Sequence, residues 1–159
     1  MNAARLALCG AVLATGAALY AKPAPRATAP SPQDIVTTRQ AGMDMAVATL
    51  TLLKNASANG APLKTLAFPA GGLAKFAGVL PSLFSDNTKS IASRARPTVW
   101  TDRGGFQAKA SDFATAAKAL ATAAAAEDKP AFDAALASVG ASCKGCHDSY
   151  QLPPPAKPG

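Results

Sequence analysis

The chain has 159 residues and a mass of 15.9 kDa, which fits a single domain, so we do not expect a catalytic domain joined to a separate regulatory domain. Apolar residues make up 49% and charged residues 16%, so the chain is too apolar to be disordered, yet only 6% of its residues are aromatic. The net charge of +7 comes from single lysines and arginines without a basic run, which argues against nucleic-acid binding and is compatible with an acidic protein partner. Because much of the apolar content is alanine, the core is poorly filled unless another group occupies it.

The N-terminal segment has the layout of a secretory signal. Residues 1–21 combine Arg5 with an apolar stretch that ends in small residues, which predicts a signal peptide and export. An uncleaved membrane anchor is the alternative, although the apolar stretch is shorter than the ~20 residues that cross a bilayer; membrane contact is expected only if residues 1–21 are retained. Residues 22–32 form a proline-rich linker, 33–152 the folded domain and 153–159 a proline-rich tail.

The first helix is predicted to begin at the sequence Ser31-Pro32-Gln33-Asp34, which combines a hydroxyl cap, a first-turn proline and an acid three residues later. Its apolar stripe, spaced by three and four residues, consists of Val36, Arg39, Met43, Ala46, Leu50 and Leu53. Arg39 is the exception on this face. It is either a side chain that reaches water or the partner of a buried anion.

Three further helices are predicted after a connection over residues 55–68. The second begins at Pro69 and ends near Pro81, residues 85–96 form a loop, the third lies within 98–126, and the fourth begins near Lys129. Their stripes are Leu73, Phe76, Leu80 and Leu83; Phe106, Ala110, Phe113, Ala117, Leu120 and Ala124; and Phe132, Leu136, Val139, Cys143, Cys146 and Tyr150. Four such stripes without a credible strand predict an all-α four-helix bundle.

The chemistry is concentrated in the sequence Cys143-Lys144-Gly145-Cys146-His147, which is the c-type haem attachment motif. On a helix the two thiols and the imidazole share a face, so the thiols can bond to two haem vinyl groups while His147 ligates the iron. Zinc would need about four ligands, a dithiol redox site is expected in a βαβ unit, and a structural disulfide leaves His147 unexplained. One covalently attached haem c is therefore predicted, and it would also fill the alanine-rich core.

This motif, together with Arg39-Gln40, Leu80-Pro81, Phe84 and the sequence from Ala95 to Trp100, resembles the cytochrome c′ family of class II c-type cytochromes. The resemblance covers essentially the whole domain. It implies a left-handed antiparallel four-helix bundle, often a homodimer, that works in the periplasm. The family commonly has a basic residue directly after the aromatic residue of the motif, whereas this chain has Gln151.

The sixth coordination position of the iron decides the function, and the candidates are Met43, Met45, a lysine, water or an open site. Met43 lies on the inward stripe, and Met45 points elsewhere on the helix. If Met43 only packs over the iron, the haem is five-coordinate and high-spin and binds nitric oxide or carbon monoxide; if its sulfur ligates the iron, the protein is a low-spin electron carrier. The first interpretation is favoured, because methionine at helical spacing more often packs than ligates.

The same resemblance suggests roles for the neighbouring side chains. Arg39 is interpreted as the partner of a haem propionate, with Gln40 in a weaker version of that role. The aromatic residues that line the haem or belong to the core are Trp100, Phe106, Phe113 and Tyr150. The predicted role is electron transfer or diatomic-gas binding with an unidentified redox partner, and no chemical change of an organic substrate. A dithiol oxidoreductase that uses Cys143 and Cys146 is the alternative from another class.

Overall fold

A computed structural model describes residues 29–155 of the chain, and within them four long α-helices make up the fold. They are α1 (Pro32–Ala58), α2 (Leu63–Val79), α3 (Arg103–Ala125) and α4 (Lys129–Tyr150). Two short 3-10 turns, Leu80–Phe84 and Asp86–Thr88, and one helical turn, Thr98–Thr101, lie between α2 and α3. The predicted four-helix bundle is confirmed. The predictions for residues 1–28 and 156–159 fall outside the described residues.

The ends of the helices follow the capping signals in the sequence. The Asp34 amide donates to Ser31 Oγ at 3.1 Å and the Ser31 amide donates to Asp34 Oδ2 at 3.0 Å, so the predicted capping box starts α1. Asp128 caps α4 by accepting from the Ala131 amide at 3.0 Å. Asp102 accepts from the Gly105 amide at 3.1 Å and caps α3.

The predicted start of α2 at Pro69 is wrong. The helix begins at Leu63, and the connection from α1 occupies only residues 59–62, where Gly60 has a φ of 76°. Pro69 therefore lies inside the helix, which tolerates the loss of one amide donor because its neighbours Leu66 and Ala70 are buried. The second prediction for this segment is confirmed, since the α-helical geometry ends at Val79, just before Pro81.

The four apolar stripes form the core. The largest fully buried side chains include Phe106, Phe132, Leu53 and Leu120, and every member of the predicted α3 stripe is buried. The most extensive contacts join α2 to α3 and α3 to α4, whereas α1 packs mainly against α2 and the 3-10 turns. A gap therefore remains between α1 and α4.

The ring of Phe76 on α2 packs directly against Gly42 of α1. A Cβ atom at position 42 would overlap this ring, so a larger residue there would displace Phe76.

We expect Gly42→Ala to lower the free energy of unfolding by about 1–3 kcal/mol, because the added methyl group forces α1 and Phe76 apart despite the better helix propensity of alanine. Urea unfolding followed by circular dichroism measures this change. Gly140→Ala in α4 is the matched control: no neighbouring atom lies within 4 Å of its added Cβ. The control should gain up to about 1 kcal/mol. Equal effects of the two substitutions would contradict the packing argument.

Candidate functional site

The attachment motif lies in the last turns of α4, with its two thiols facing the bundle. Cys143 and Cys146 are half-buried, pack against the core and are not joined by a disulfide. His147 is more exposed and lies at the edge of the gap between α1 and α4. The helical spacing therefore brings the two thiols and the imidazole to one wall, as the sequence predicted.

Two adjacent cavities occupy this gap, and together they are called the cleft here. Their volumes are about 370 Å³ and 360 Å³, and both are lined by Met43 of α1 and by Cys146 and His147 of α4. Each volume lies in the range of ordinary ligand pockets. Met43 and the motif thus face the same space from the two helices that border it.

The walls of the cleft are largely apolar. Residues that line it outside the motif include Leu50, Leu73, Leu80, Phe84, Phe106 and Phe113. Protein interiors are normally close-packed, so apolar space of this size in a small bundle is suited to a large apolar ligand. An apolar wall with two thiols and an imidazole on one side has the donor set that a covalently attached haem requires, and the residues fit that group.

The protonation states of the motif are compatible with this use. Burial raises the pKa of both thiols; for Cys146, Cys143 adds to the rise and Lys109 partly offsets it. Neither thiol therefore has the lowered pKa that a dithiol oxidoreductase needs. Partial burial and then the positive charge of Arg94 lower the pKa of His147, against the opposing effect of Asp148, and favour the neutral ring that ligates metals.

Arg39 is buried, and the described residues provide no carboxylate partner for it. Only 3% of the residue is exposed, so the alternative that its side chain reaches water is wrong. Its guanidinium donates to Leu83 O at 3.1 Å, Thr88 Oγ1 at 3.3 Å and Ser93 Oγ at 2.9 Å, and lies 4.3 Å from the centre of the Phe84 ring. Burial lowers the pKa of Arg39. A positive charge surrounded by neutral acceptors at the wall of the cleft favours an anionic group there.

The other candidate site residues on α1, which are Gln40, Met43 and Met45, differ in their burial and in whether they line the cleft. Met43 is half-buried in the cleft, whereas Met45 is 68% exposed and does not line it, as expected. Gln40 is exposed at the rim of the 370 Å³ cavity and makes no hydrogen bond there. Met43 is therefore the α1 methionine that is positioned to contact a group bound in the cleft.

The structure also separates the aromatic residues that the sequence left undivided. Phe106 and Tyr150 line one cavity and Phe113 lines the other. Trp100 lines neither cavity and instead donates its indole N–H to Ser85 O at 3.3 Å. Trp100 therefore supports the loop rather than the cleft.

Tyr150 fixes the end of α4 against the start of α3. Its hydroxyl donates to Asp102 Oδ2 at 2.6 Å, and its ring packs edge-on against Phe106 at 5.5 Å. This hydrogen bond raises the pKa of Tyr150 to about 12 and lowers that of Asp102, which also accepts from the Gly105 amide. A Cβ atom on Gly105 would collide with the Tyr150 hydroxyl, so glycine is required beside this contact.

Arg94 is a residue of the site that the sequence analysis did not single out. It comes from the loop before α3, lines both cavities together with His147, and donates to Leu152 O. Arg94 lies in a stretch without periodicity and is far from the motif in sequence. Only the fold brings the two together.

Comparisons with known proteins agree with this geometry. A sequence model of the cytochrome c′ family matches residues 34–151. A cytochrome c′ from Pararhodospirillum photometricum is 44% identical over 73 residues, which are 45% of this chain and 58% of the relative, so the alignment spans little more than half of that protein.

Solved structures resemble the chain over most of its length. The nitric oxide complex of a mutant cytochrome c′ from Alcaligenes xylosoxidans has a TM-score of 0.71 at 27% identity and covers 79% of this chain and 100% of that one. A cytochrome c′ with ligand-controlled dimer dissociation has a TM-score of 0.73 at 25% identity, with coverage of 79% and 100%. The fold is thus that of a helical bundle with known relatives.

Proposed function

Because this chain belongs to the cytochrome c′ family, we propose that it is an exported mono-haem cytochrome that transfers electrons or binds a diatomic gas. Members of this family carry covalently bound haem c. The observation that best supports the proposal is the position of Cys143, Cys146 and His147 on one wall of an apolar cleft.

Different residues of the cleft are proposed to hold different parts of the haem. The thiols of Cys143 and Cys146 would hold the haem through two thioether bonds, each formed by adding an S–H across a vinyl group, so that no oxidant would be consumed. His147 would provide a nitrogen ligand to the iron. Arg39 offers its positive charge to a haem carboxylate, and Gln40 adds a polar group at the rim.

When bound, the haem supplies one-electron redox chemistry and an open coordination position for a small ligand. Met43 would offer an apolar contact to a haem held in the cleft, and Leu50, Leu73 and Phe113 line the same cavity. These side chains offer no hydrogen-bond donor. They therefore favour nitric oxide and carbon monoxide over dioxygen, which gains more from a hydrogen bond. If the Met43 sulfur ligates the iron instead, the protein is a low-spin electron carrier.

Export to the periplasm is part of the proposal, and it rests on the layout of residues 1–21 rather than on the described structure. If the leader is retained, the proline-rich segment 22–32 tethers the bundle to the membrane.

We expect protein from a host that matures c-type cytochromes to carry the mass of one haem that survives denaturing electrophoresis. Replacing both Cys143 and Cys146 with alanine should abolish the attachment, and Ser138→Ala, at an exposed position of the same helix, is the control that should not. His147→Ala should retain the haem but change its absorption spectrum. The intact mass also shows whether residues 1–21 are removed. Colourless protein with titratable thiols would contradict the proposal and favour the dithiol oxidoreductase.

The absorption spectrum tests the role of Met43. We expect a high-spin ferric spectrum, and a ferrous spectrum that changes when carbon monoxide is added, because Met43 packs without ligating. Met43→Ala should alter the affinity for carbon monoxide and keep the spin state, while Met45→Ala should change neither. A sulfur-to-iron charge-transfer band that disappears in Met43→Ala would establish the low-spin alternative.

A second copy of the chain is the proposed partner of the outer face of α1 and α2. Phe68 is 91% exposed, and the exposed apolar residues Met45, Leu52 and Val79 lie on the same side of the helix pair. Gly42 of α1 contacts Phe76 of α2. Met45 follows Gly42 by three positions and Val79 follows Phe76 by three positions, so on antiparallel helices both residues point to the same side. The segment Leu63–Phe84 is apolar enough to span a membrane by length and composition, but only part of it is buried in the bundle. The dimer-forming relative supports a self-association interface.

Sedimentation equilibrium tests this interface. We expect a concentration-dependent dimer whose dissociation constant rises about tenfold or more in Phe68→Ser, because a large exposed aromatic side chain is removed from the interface. Leu152→Ser is the control, since Leu152 is exposed and apolar but lies at the end of α4. A monomer at all concentrations, or binding of this face to lipid vesicles in place of dimerisation, would refute the interface.

A further inference from the structure

The end of α4 is held by the loop of residues 94–98, which runs antiparallel to residues 149–152. Ala95 and Gln151 form an antiparallel bridge. The Arg96 amide donates to Tyr150 O at 2.9 Å, and the Leu152 amide donates to Arg94 O at 2.7 Å. The helix turn that presents His147 is thus fixed by backbone pairing to a distant segment of the chain.

Side chains of the same loop donate to the backbone carbonyl groups of the two residues that directly follow α4. Arg94 donates to Leu152 O through Nε at 3.0 Å and through Nη2 at 2.7 Å. Arg96 donates through Nε to Gln151 O at 2.9 Å. Cations at this position are favourable, because the C-terminal end of a helix carries a partial negative charge.

The two arginines differ in what they face. Arg94 lines both cavities together with His147, whereas Arg96 lines neither. Asp148, the acid next to His147, is engaged by Lys144 at 2.6 Å.

The remaining charged groups around the cleft lie on other walls. They are Asp44 and Arg39 on α1 and Lys109 on α3. Among these charged groups, Arg94 is therefore the cation that both donates to the backbone carbonyl of Leu152, just after α4, and lines the cleft together with His147.

We propose that Arg94 is a positioning residue for His147 that also places a positive charge beside the redox site. This inference rests on the proposed function, because it requires His147 to ligate the haem iron. A nearby positive charge stabilises the state that has gained an electron, so Arg94 raises the reduction potential. Since Arg94 is exposed, added salt screens part of this effect.

Potentiometric titration of the holoprotein tests the charge. We expect Arg94→Gln to shift the reduction equilibrium toward the oxidised form by up to about tenfold, which is about 59 mV for a one-electron couple. Arg94→Lys should retain most of the wild-type potential, and Arg96→Gln should leave it unchanged. The potential of the wild type should also fall more steeply with added salt than that of Arg94→Gln.

Amide hydrogen exchange gives a second readout that does not depend on the redox reaction. Both Arg94→Gln and Arg96→Gln should speed exchange at residues 151 and 152, because each removes a hydrogen bond from the end of α4. This measurement separates loosening of the helix end from loss of the charge.

The inference is overturned if Arg94→Gln keeps the wild-type potential, or if Arg96→Gln lowers it equally. A wild-type reduction potential that does not change with added salt would also overturn the inference. This measurement needs only the wild-type protein, so it remains decisive if Arg94→Gln does not fold. These outcomes differ from failure of the proposed function, in which the protein lacks haem or its spectrum is unchanged by His147→Ala.

Discussion

The separation of α1 from α4 is the constraint on which the rest of the structure depends. The most extensive contacts join α3 to α2 and to α4, and Gly42 of α1 contacts Phe76 of α2, whereas among residues 29–155 the space between α1 and the motif forms two cavities. A bundle of this size loses dispersion contacts along an unfilled apolar gap. A bound apolar group would restore dispersion contacts with these apolar walls, and we interpret the walls as its binding surface.

The electrostatics of the cleft follow from its burial. Arg39 keeps its charge in a largely water-free environment by donating to three neutral oxygen atoms and by stacking over Phe84. Neutral acceptors satisfy the N–H groups without cancelling the charge, so the side chain remains attractive to an anion. Arg94, which also lines the cleft, donates to a backbone carbonyl, and this contact likewise leaves its positive charge uncancelled.

Much of this arrangement was predictable from local sequence. The capping box of Ser31 and Asp34 and the apolar stripes each depend on residues within a few turns of one another. The capping box starts α1, and the first, third and fourth stripes lie on α1, α3 and α4, whereas Leu80 and Leu83 of the second stripe lie in the 3-10 turn after α2. The anomaly of Arg39 was visible because a charge interrupted an apolar stripe. The start of α2 was missed because Asn59, Gly60, Pro62 and Pro69 suggest a long connection, whereas burial of Leu63 and Leu66 outweighs those signals. The pairing of residues 94–98 with the end of α4 depends on tertiary structure, and it produces no periodic pattern in the sequence from which it could have been predicted.

The location of both thiols on the wall of the cleft has a consequence for affinity. A ligand bonded to Cys143 and Cys146 cannot diffuse away, so its effective concentration at the cleft is set by the length of two short tethers rather than by its supply in solution. The non-covalent walls then need little intrinsic affinity to keep the site occupied. Under the proposed function, side chains such as Met43 would then affect how a second, smaller molecule enters more than how tightly the first is retained.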